Sequence, residues 1–236
     1  TAVGQARDIE AWFETPTVSG QTNNAAVYFP RIKIPDPDPA AKGAAFETEN
    51  SGTMAGIYAQ TDAASGVWKA PAGIQTPLTG VLDPVVKIDD SLNGQLNPLG
   101  INCLRTFPVY GVVSWGARTI QGADLLESQW KYVNGRRLAL YIEGSVKQGT
   151  TWAVFQPNDE TLWSSLRLSV GAFMDGLHKQ GAFAGTSAES SYFVACDAST
   201  TTPIDQQSGR VNVNVGFAPL YPAEFVVITI SQIINQ

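Results

Sequence analysis

The chain contains one histidine, His178, and any catalysis of the Ser-His-Asp or Cys-His type would have to proceed through it. His178 lies beside Lys179 near the end of a predicted helix, where a cation interacts favourably with the helix dipole and solvent is close. That is the pattern of an ordinary helix terminus. The sequence also lacks a phosphate-binding loop, an HExxH pair and a GxSxG turn. We therefore predict that the protein is not an enzyme and has no catalytic residues.

Carboxylates and cysteines are the other groups that could hold a metal ion or a cofactor. The adjacent acidic pairs at 89–90 and 159–160 are explained as helix N-terminal residues, where negative charge complements the helix dipole. Cys103 and Cys196 are far apart, lack the spacing of metal ligands and lie in apolar runs. That placement predicts buried free thiols. We expect no metal site and no cofactor.

Two adjacent arginines, Arg136 and Arg137, open the amphipathic stretch "SQWKYVNGRRLALYIEGSVKQG" (128–149). Cations in the first turn of a helix are unfavourable toward its dipole and so need a partner. Nucleic acid, an anionic substrate and a second copy of the chain are the three candidates. The net charge of −6 disfavours duplex binding, which requires a basic footprint. Acidic residues interleave with the basic ones here, and such a mixed surface suits protein–protein complementarity better than phosphate tracking.

The composition describes a folded, loop-rich protein with a weakly charged surface. Charged residues make up 15% of the 236 residues and hydrophobic residues 44%, with 22 Gly and 14 Pro. Low surface charge weakens repulsion between molecules and suits a protein that packs against others. No apolar run approaches the roughly 18 residues of a membrane span, so we expect no insertion into lipid.

Helix signals are strongest in the second half of the chain. We predict a short helix at 51–66, capped by Ser51 or Thr53 and ended by Gly66. A second helix is predicted from Gly135 to Lys147 with Asn134 as its cap. A longer helix is predicted to start at Asn158 and to have Gly181 as its C-terminal cap. Its predicted apolar stripe is Leu162, Leu166, Val170, Phe173 and Leu177.

Strand signals complete an α+β or α/β fold with mixed sheets packed against helices. The stretch "AAVYFPRIKI" (25–34) predicts a strand in which Pro30 marks an edge or a bulge. "GVVSWGART" (111–119) predicts a buried strand that ends at Gly116. Three further strands are predicted in "SYFVACD", "GRVNVNVGF" and "EFVVITISQI".

The order of several short motifs resembles that of the contractile tail sheath proteins of bacteriophages. The motifs are "SGTMAGIYAQTDAASGVWKAPAG", "LNPLGIN", "WGART", "KYVNGRRLALYIEGSV", "VFQPNDETLW", "FMDGLHKQGAFAG", "YFVACD" and "GRVNVNVGFAPLYPAEFVVITISQ". The resemblance runs from about residue 25 to the C-terminus and implies the C-terminal part of such a protein, without its upstream domains. It implies a partial domain at 1–104, called subtilisin-like for its fold, and a tail sheath C-terminal domain at 105–236.

The resemblance implies a structural subunit of the virion that polymerises helically around the tail tube and contracts to drive it through the host envelope. Its expected partners are other sheath subunits, joined by strand exchange, the tail tube protein, the baseplate and the tail terminator. No nucleic acid is expected, and assembly would occur in the host cytoplasm. Three alternatives remain: a virion module that binds a receptor or glycan, a sheath subunit of a related contractile injection system, and a hydrolase in the subtilisin-like part.

The residues expected at subunit contacts follow from this resemblance. We hypothesise that one of the two arginines binds a local carboxylate or helix C-terminal carbonyls while the other faces a neighbouring subunit; two solvated first-turn arginines are the alternative. The C-terminal "EFVVITISQIINQ" is the candidate for strand exchange or for the sheet edge that accepts a neighbour's arm. The full set of expected contact residues is Arg136, Arg137, Glu143, Phe225, Val227, Thr229 and Ile230.

Overall fold

The computed structural model describes residue 4 and residues 23–225 of the chain. The strands are β1 (Val27–Phe29), β2 (Ile32–Pro35), β3 (Ala45–Thr48), β4 (Asp83–Pro84), β5 (Ile101–Phe107), β6 (Gly111–Ser114), β7 (Tyr192–Ala195) and β8 (Asn214–Phe217). The α-helices are α1 (Ser51–Ser65), α2 (Asp90–Leu96), α3 (Val133–Gly149), α4 (Glu160–Lys179), α5 (Ala188–Ser191) and α6 (Pro203–Gln207). Mixed helices and sheets confirm the predicted fold class. Among the described residues, no helix combines the length and the apolar character needed to cross a membrane.

Two three-stranded sheets form the first part of the fold. One has the order β1-β5-β6, with β1 parallel and β6 antiparallel to β5, and the other has the order β3-β2-β4. The single strand predicted at 25–34 is wrong, because Pro30 lacks the amide hydrogen of a ladder and separates β1 from β2, which join different sheets. The strand predicted to end at Gly116 ends at Ser114. At Gly116, any Cβ would lie 2.7 Å from the Asn102 side chain.

Helix α1 covers these sheets and packs on a core of Ile32, Met54, Ile57, Leu78, Leu104 and Val112. Gly66 follows it with a φ of +106°, as predicted for its end. The predicted caps Ser51 and Thr53 are wrong, because the helix begins at Ser51 and the cap position is Asn50. The Asn50 side chain makes no cap bond and instead donates to the carbonyls of Tyr28 and Pro30. It thereby ties the helix start to the first sheet.

Helices α3 and α4 pack together with the two-stranded sheet of β7 and β8. Their shared core is Leu138, Ile142, Val170, Met174, Leu177, Ala182 and Phe183. Asn134 does not cap α3, which begins one residue earlier; it is buried in the first turn and donates to the carbonyls of Trp68 and Leu220, at 3.0 and 2.9 Å. A side chain engaged in such distant bonds is not free to cap its own helix.

The longest described helix, α4, matches its predicted pattern with two changes. Its cap is Asp159, whose carboxylate accepts from the Leu162 amide at 3.0 Å, whereas Asn158 accepts from the indole of Trp163. Met174 replaces the predicted Phe173 in the buried stripe. Gly181 adopts a φ of +78° just after the helix, as predicted for its C-terminal cap.

Strands β7 and β8 pair antiparallel, with Tyr192 opposite Phe217. The nine-residue strand predicted for "GRVNVNVGF" forms only over Asn214–Phe217. A Cβ on Gly216 would lie 2.1 Å from the ring of Phe193 on β7, so the glycine lets this ring cover the neighbouring strand. The strand predicted for "EFVVITISQI" falls outside the described residues except for its first two positions.

Both cysteines are free and buried, as predicted. Burial raises the pKa of the Cys103 thiol to about 12, despite the opposing effect of the Arg105 charge. A thiol held in its neutral form is a weak nucleophile and a poor metal ligand. The two cysteines therefore act as small apolar core residues.

Candidate functional site

Arg137 binds a carboxylate on another helix of the same chain. Its Nη1 and Nη2 atoms donate to the two carboxylate oxygens of Asp62 on α1, at 2.8 and 2.6 Å. Its guanidinium also lies over the ring of Tyr58, 4.7 Å from the centroid. The hydrogen bond to Asp62 raises the pKa of Arg137 against the opposing effect of burial. This arginine is an internal link between α1 and α3.

Arg136 makes a different set of contacts. Its Nε atom donates to Oδ1 of Asn24 at 2.7 Å, and its guanidinium lies 4.8 Å from the ring centroid of Trp130. Among the described residues, no carboxylate forms an ion pair with Arg136. The two arginines share one wall of a surface groove of about 340 Å³, whose apolar lining includes Met54 and Leu140.

Glu143 lies on the same face of α3 as Arg136. Seven residues of an α-helix fall about 20° short of two turns, so the two side chains stand roughly 10 Å apart along one stripe. Glu143 is exposed and forms no ion pair within the described part of the chain. The helix thus presents a cation and an anion that form no ion pair among the described residues.

The C-terminal members of the expected contact set lie elsewhere. Phe225 is 69% exposed and borders a depression of about 190 Å³ with Lys69 and Trp115, separate from the groove of the arginines. Val227, Thr229 and Ile230 lie outside the described residues. The structure therefore places three residues of the expected contact set on α3, namely Arg136, Arg137 and Glu143, and does not bring Phe225 to them.

Sequence reasoning missed a buried ion cluster centred on Arg118. The Arg118 side chain is only 1% exposed, and its Nε and Nη2 atoms donate to the two carboxylate oxygens of Glu224 at 2.9 and 2.6 Å. Its Nη1 atom faces three acceptors, the carbonyls of Asn97 and Gly122 and the Asp124 carboxylate, at 2.9, 3.1 and 2.9 Å. A buried charge is tolerated only when it is paired in this way.

The neighbours of this cluster complete its electrostatics. The hydrogen bond from Lys131, at 2.6 Å, is the main cause that lowers the pKa of Asp124, and Arg118 adds to it. Burial tends to lower the pKa of Arg118, but the hydrogen bond and charge of Glu224, together with Asp124, raise it overall. The Tyr132 hydroxyl donates to Glu224 at 3.1 Å. The Glu224 carboxylate therefore accepts hydrogen bonds from a charged side chain, Arg118, and from a neutral one, Tyr132.

Tyr132 makes the cluster sensitive to alkali. Burial and then the charge of Glu224 raise the pKa of Tyr132 to about 12, above the value of about 10 of an unfolded tyrosine. Because the folded state holds the proton more tightly, this contribution is fully present below pH 10 and is lost as the pH rises through 12. We expect the free energy of unfolding to fall over that window, and to fall less in Tyr132→Phe, as measured by urea denaturation. Identical pH profiles for the two proteins would contradict this role.

Catalytic geometry at His178 is not seen. The buried Nδ1 atom of His178 has no hydrogen-bond partner in the part of the chain that the structure describes, and the ring packs near Tyr192. Within the same residues, no group of three His, Cys, Asp or Glu side chains is placed to hold a metal ion. The side-chain geometry points to packing and ion pairing.

Comparison with known proteins identifies relatives along most of the chain. Residues 127–233 match the family described as phage tail sheath C-terminal domain. A putative prophage major tail sheath protein of Pseudomonas aeruginosa is 27% identical over 78% of this chain and 46% of its own length. The tail sheath protein of Vibrio phage KVP40 is 28% identical over 56% of this chain and 19% of its own length. The chain thus spans about half or less of the curated relatives that it matches.

Solved structures extend the similarity. The sheath complex of an extracellular contractile injection system in its contracted state is 32% identical, with a TM-score of 0.83, and the match covers 98% of this chain and 61% of that one. A chain of the anti-feeding prophage baseplate is 33% identical with a TM-score of 0.81, covering 93% of this chain and 57% of that one. Residues 127–233 are therefore similar to the phage tail sheath C-terminal domain, and nearly the whole chain is similar to chains of contractile sheath assemblies.

Proposed function

We propose that this chain is the C-terminal part of a structural subunit that polymerises helically around a tube and shortens to drive that tube through a cell envelope. The observation that carries the proposal is the similarity of nearly the whole chain to a sheath complex in its contracted state. Relatives occur in phage tails and in extracellular injection systems, so we propose the function that both groups share. No reaction is assigned to it, because the family is structural.

Other copies of the same protein are the first partners of this subunit. We propose the tail tube protein, the baseplate and the tail terminator as the others, and a virion-like particle assembled in the host cytoplasm as its location. Similarity to baseplate and helical sheath structures supports the contacts among sheath subunits. In this proposal the subunit binds neither nucleic acid nor lipid.

We also propose that residues 1–104 are part of a subtilisin-like middle domain and residues 105–236 the sheath C-terminal domain. Strand β5 runs without a break from Ile101 to Phe107, through residue 104. The two parts would therefore share a strand, which favours their movement as one body. A shared strand also places β1, from the first part, beside a ladder that continues into the second.

A contractile sheath needs durable links that persist while the subunits move. Among the residues that the structure describes, the sheet of β7 and β8 has two strands, which pack against α3 and α4. Open strand edges accept a further strand through main-chain hydrogen bonds. We propose that this sheet takes part in strand exchange with the C-terminal segment that contains Phe225, Val227, Thr229 and Ile230.

Contacts between subunit bodies must instead break and reform. Exposed ion pairs suit this role because each contributes only about 0–1 kcal/mol. We propose that Arg136 and Glu143 meet charges on neighbouring subunits, whereas Arg137 acts inside its own subunit through Asp62. Because each pair is weak, neighbouring subunits could exchange one set of pairs for another. The same assembly could then adopt two arrangements of its subunits.

Charge reversal separates the roles of the two arginines. In the full-length protein, Arg136→Glu is expected to reduce tube formation while changing the melting temperature little, since its described partners are uncharged. Arg137→Glu is expected to lower the melting temperature by several degrees, because it places a second negative charge beside Asp62. Lys87→Glu, an exposed site outside α3, makes the same charge change as a control. Normal tubes from Arg136→Glu would end this assignment.

Electron microscopy of the full-length protein tests the function itself. We expect concentration-dependent helical tubes that exist in a long and a short form. A protein that stays solitary at every concentration, or that turns over a substrate at a definable pocket, would contradict the sheath function.

A further inference from the structure

The last described residues, 218–225, form a segment that we call the C-terminal strap. It begins where β8 ends, and its Ala218 amide donates to the carbonyl of Ser191 while its own carbonyl accepts from Ala184. The carbonyl of Leu220 then accepts from the buried Asn134 side chain, at 2.9 Å. These bonds carry the strap away from the β7–β8 sheet and across the start of α3.

The far end of the strap meets the first part of the fold. The ring of Tyr221 packs edge-on against Tyr132, with 6.0 Å between centroids. Three residues later, Glu224 enters the ion cluster, where its side chain is only 14% exposed and binds both Nε and Nη2 of Arg118. Arg118 directly follows the buried β5–β6 region in the fold, and its own amide is held by Asn102 at 2.7 Å. Glu224 therefore ties the strap to a buried part of the fold.

A bidentate ion pair of this kind fixes the orientation of the Glu224 side chain as well as its position. The planar guanidinium and the carboxylate share two parallel hydrogen bonds, so the Glu224 side chain cannot rotate without losing one of them. Buried ion pairs are weak as a source of net stability compared with packed apolar residues, and their best-attested use is to specify register. The pair joins residues that are 106 positions apart in the sequence, which suits that use.

We propose that Arg118 is a positioning residue for assembly: by holding Glu224, it fixes the position of the strap to which residues 226–236 are joined. The inference rests on the proposed sheath function, because it concerns the segment that would be exchanged with a neighbour. Glu224 is the element held, and Tyr132 is the second donor that orients it.

The length of the strap sets how far its end can move when the Arg118–Glu224 pair is lost. A residue spans at most about 3.3–3.6 Å, so release of the strap back to Ala218 moves the point of departure by up to roughly 20 Å. A segment tethered loosely explores a larger volume, and its effective concentration at a fixed neighbouring site falls accordingly. Loss of the pair therefore lowers the efficiency of strand exchange even when the body of the subunit stays folded.

The test uses the full-length protein with two variants of matched chemistry. Glu224→Gln removes the charge of the strap and keeps its shape, whereas Asp62→Asn makes the same change in the Arg137 pair inside the body. Hydrogen exchange of the unassembled protein reports release of the strap, and electron microscopy reports the yield of tubes. The melting temperature of each variant gives its overall stability.

In Glu224→Gln, we expect the Ala218 amide, which donates to the Ser191 carbonyl, to exchange about tenfold faster or more while amides of β5 are unchanged, and the tube yield to fall about tenfold. Asp62→Asn is expected to leave strap exchange and tube yield near those of the parent at a comparable loss of melting temperature. The proposal is overturned if Glu224→Gln exchanges like the parent, or if both variants lose tubes in proportion to stability. A parent that forms no tubes refutes the sheath function, and the exchange data still decide whether Arg118 anchors the strap.

Discussion

Replacing Arg118 by methionine is expected to lower the free energy of unfolding by about 3–5 kcal/mol. Methionine is shorter but has a similar volume and no charge, so most of the loss comes from charge and hydrogen bonding. Without the guanidinium, the largely buried carboxylate of Glu224 keeps only the Tyr132 hydroxyl as a described side-chain donor, and the carbonyls of Asn97 and Gly122 lose theirs. Equilibrium denaturation in urea measures the change directly.

Arg31→Met is the matched control for this experiment. Arg31 forms an ion pair with Glu49 in which both side chains are more than half exposed, so its loss is expected to change the free energy of unfolding by about 0–1 kcal/mol. Equal and small effects of the two substitutions would show that the Arg118 cluster is better solvated than its burial indicates. A large effect at Arg118 alone supports the buried geometry.

Replacing Asn102 by leucine is expected to cost about 3 kcal/mol or more. The Asn102 side chain is fully buried and makes three hydrogen bonds to backbone groups: Nδ2 donates to the carbonyls of Val27 and Arg118, and Oδ1 accepts from the Arg118 amide. Leucine is branched at Cγ like asparagine but is larger and satisfies none of these groups, and each buried polar group left unpaired costs about 1–3 kcal/mol. Urea denaturation again provides the measurement.

A control asparagine with a single exposed partner separates this effect from a general intolerance of leucine. Asn24 bonds only the Arg136 side chain among the hydrogen bonds described for it, at an exposed position. We expect Asn24→Leu to change the free energy of unfolding by less than about 1 kcal/mol. A comparably small loss in Asn102→Leu would mean that water or a shift of β1 satisfies the orphaned groups.

Features that depend on local chemistry could be predicted from the sequence. Gly66 and Gly181 end their helices because a positive φ is needed there and glycine adopts it without strain. The stripe of α4 follows from the helical repeat, which places Leu162, Leu166 and Val170 on one face. Such signals lie within a few residues of the structure that they determine.

Helix starts were predicted less well, for a physical reason. Asn50 and Asn134 have side chains suited to capping, but both donate to carbonyls more than 19 residues away. An amide that satisfies a distant buried carbonyl contributes more than one that caps an exposed turn, so tertiary structure determines its role. The sequence gives no local sign of this choice.

The contacts of the candidate site could also be predicted only in part, because the partners are distant in the sequence. The sequence led to the hypothesis that one of the two arginines binds a local carboxylate or helix C-terminal carbonyls, because a cation in a first turn needs a partner. The structure shows Arg137 bound to Asp62, a pair that the sequence could not indicate. Arg118 was not predicted at all. An arginine after a strand is usually exposed, and its main partner, Glu224, is 106 residues away.

The cross-connections described above bear on how the molecule can be dissected. The matched family range, 127–233, contains Arg137, Asn134 and Glu224, but their partners Asp62, Trp68 and Arg118 all lie before it. Expressed alone, that range would leave the side chains of Arg137, Asn134 and Glu224 without these partners. An autonomous fragment for biophysical work would need to begin upstream of Asp62.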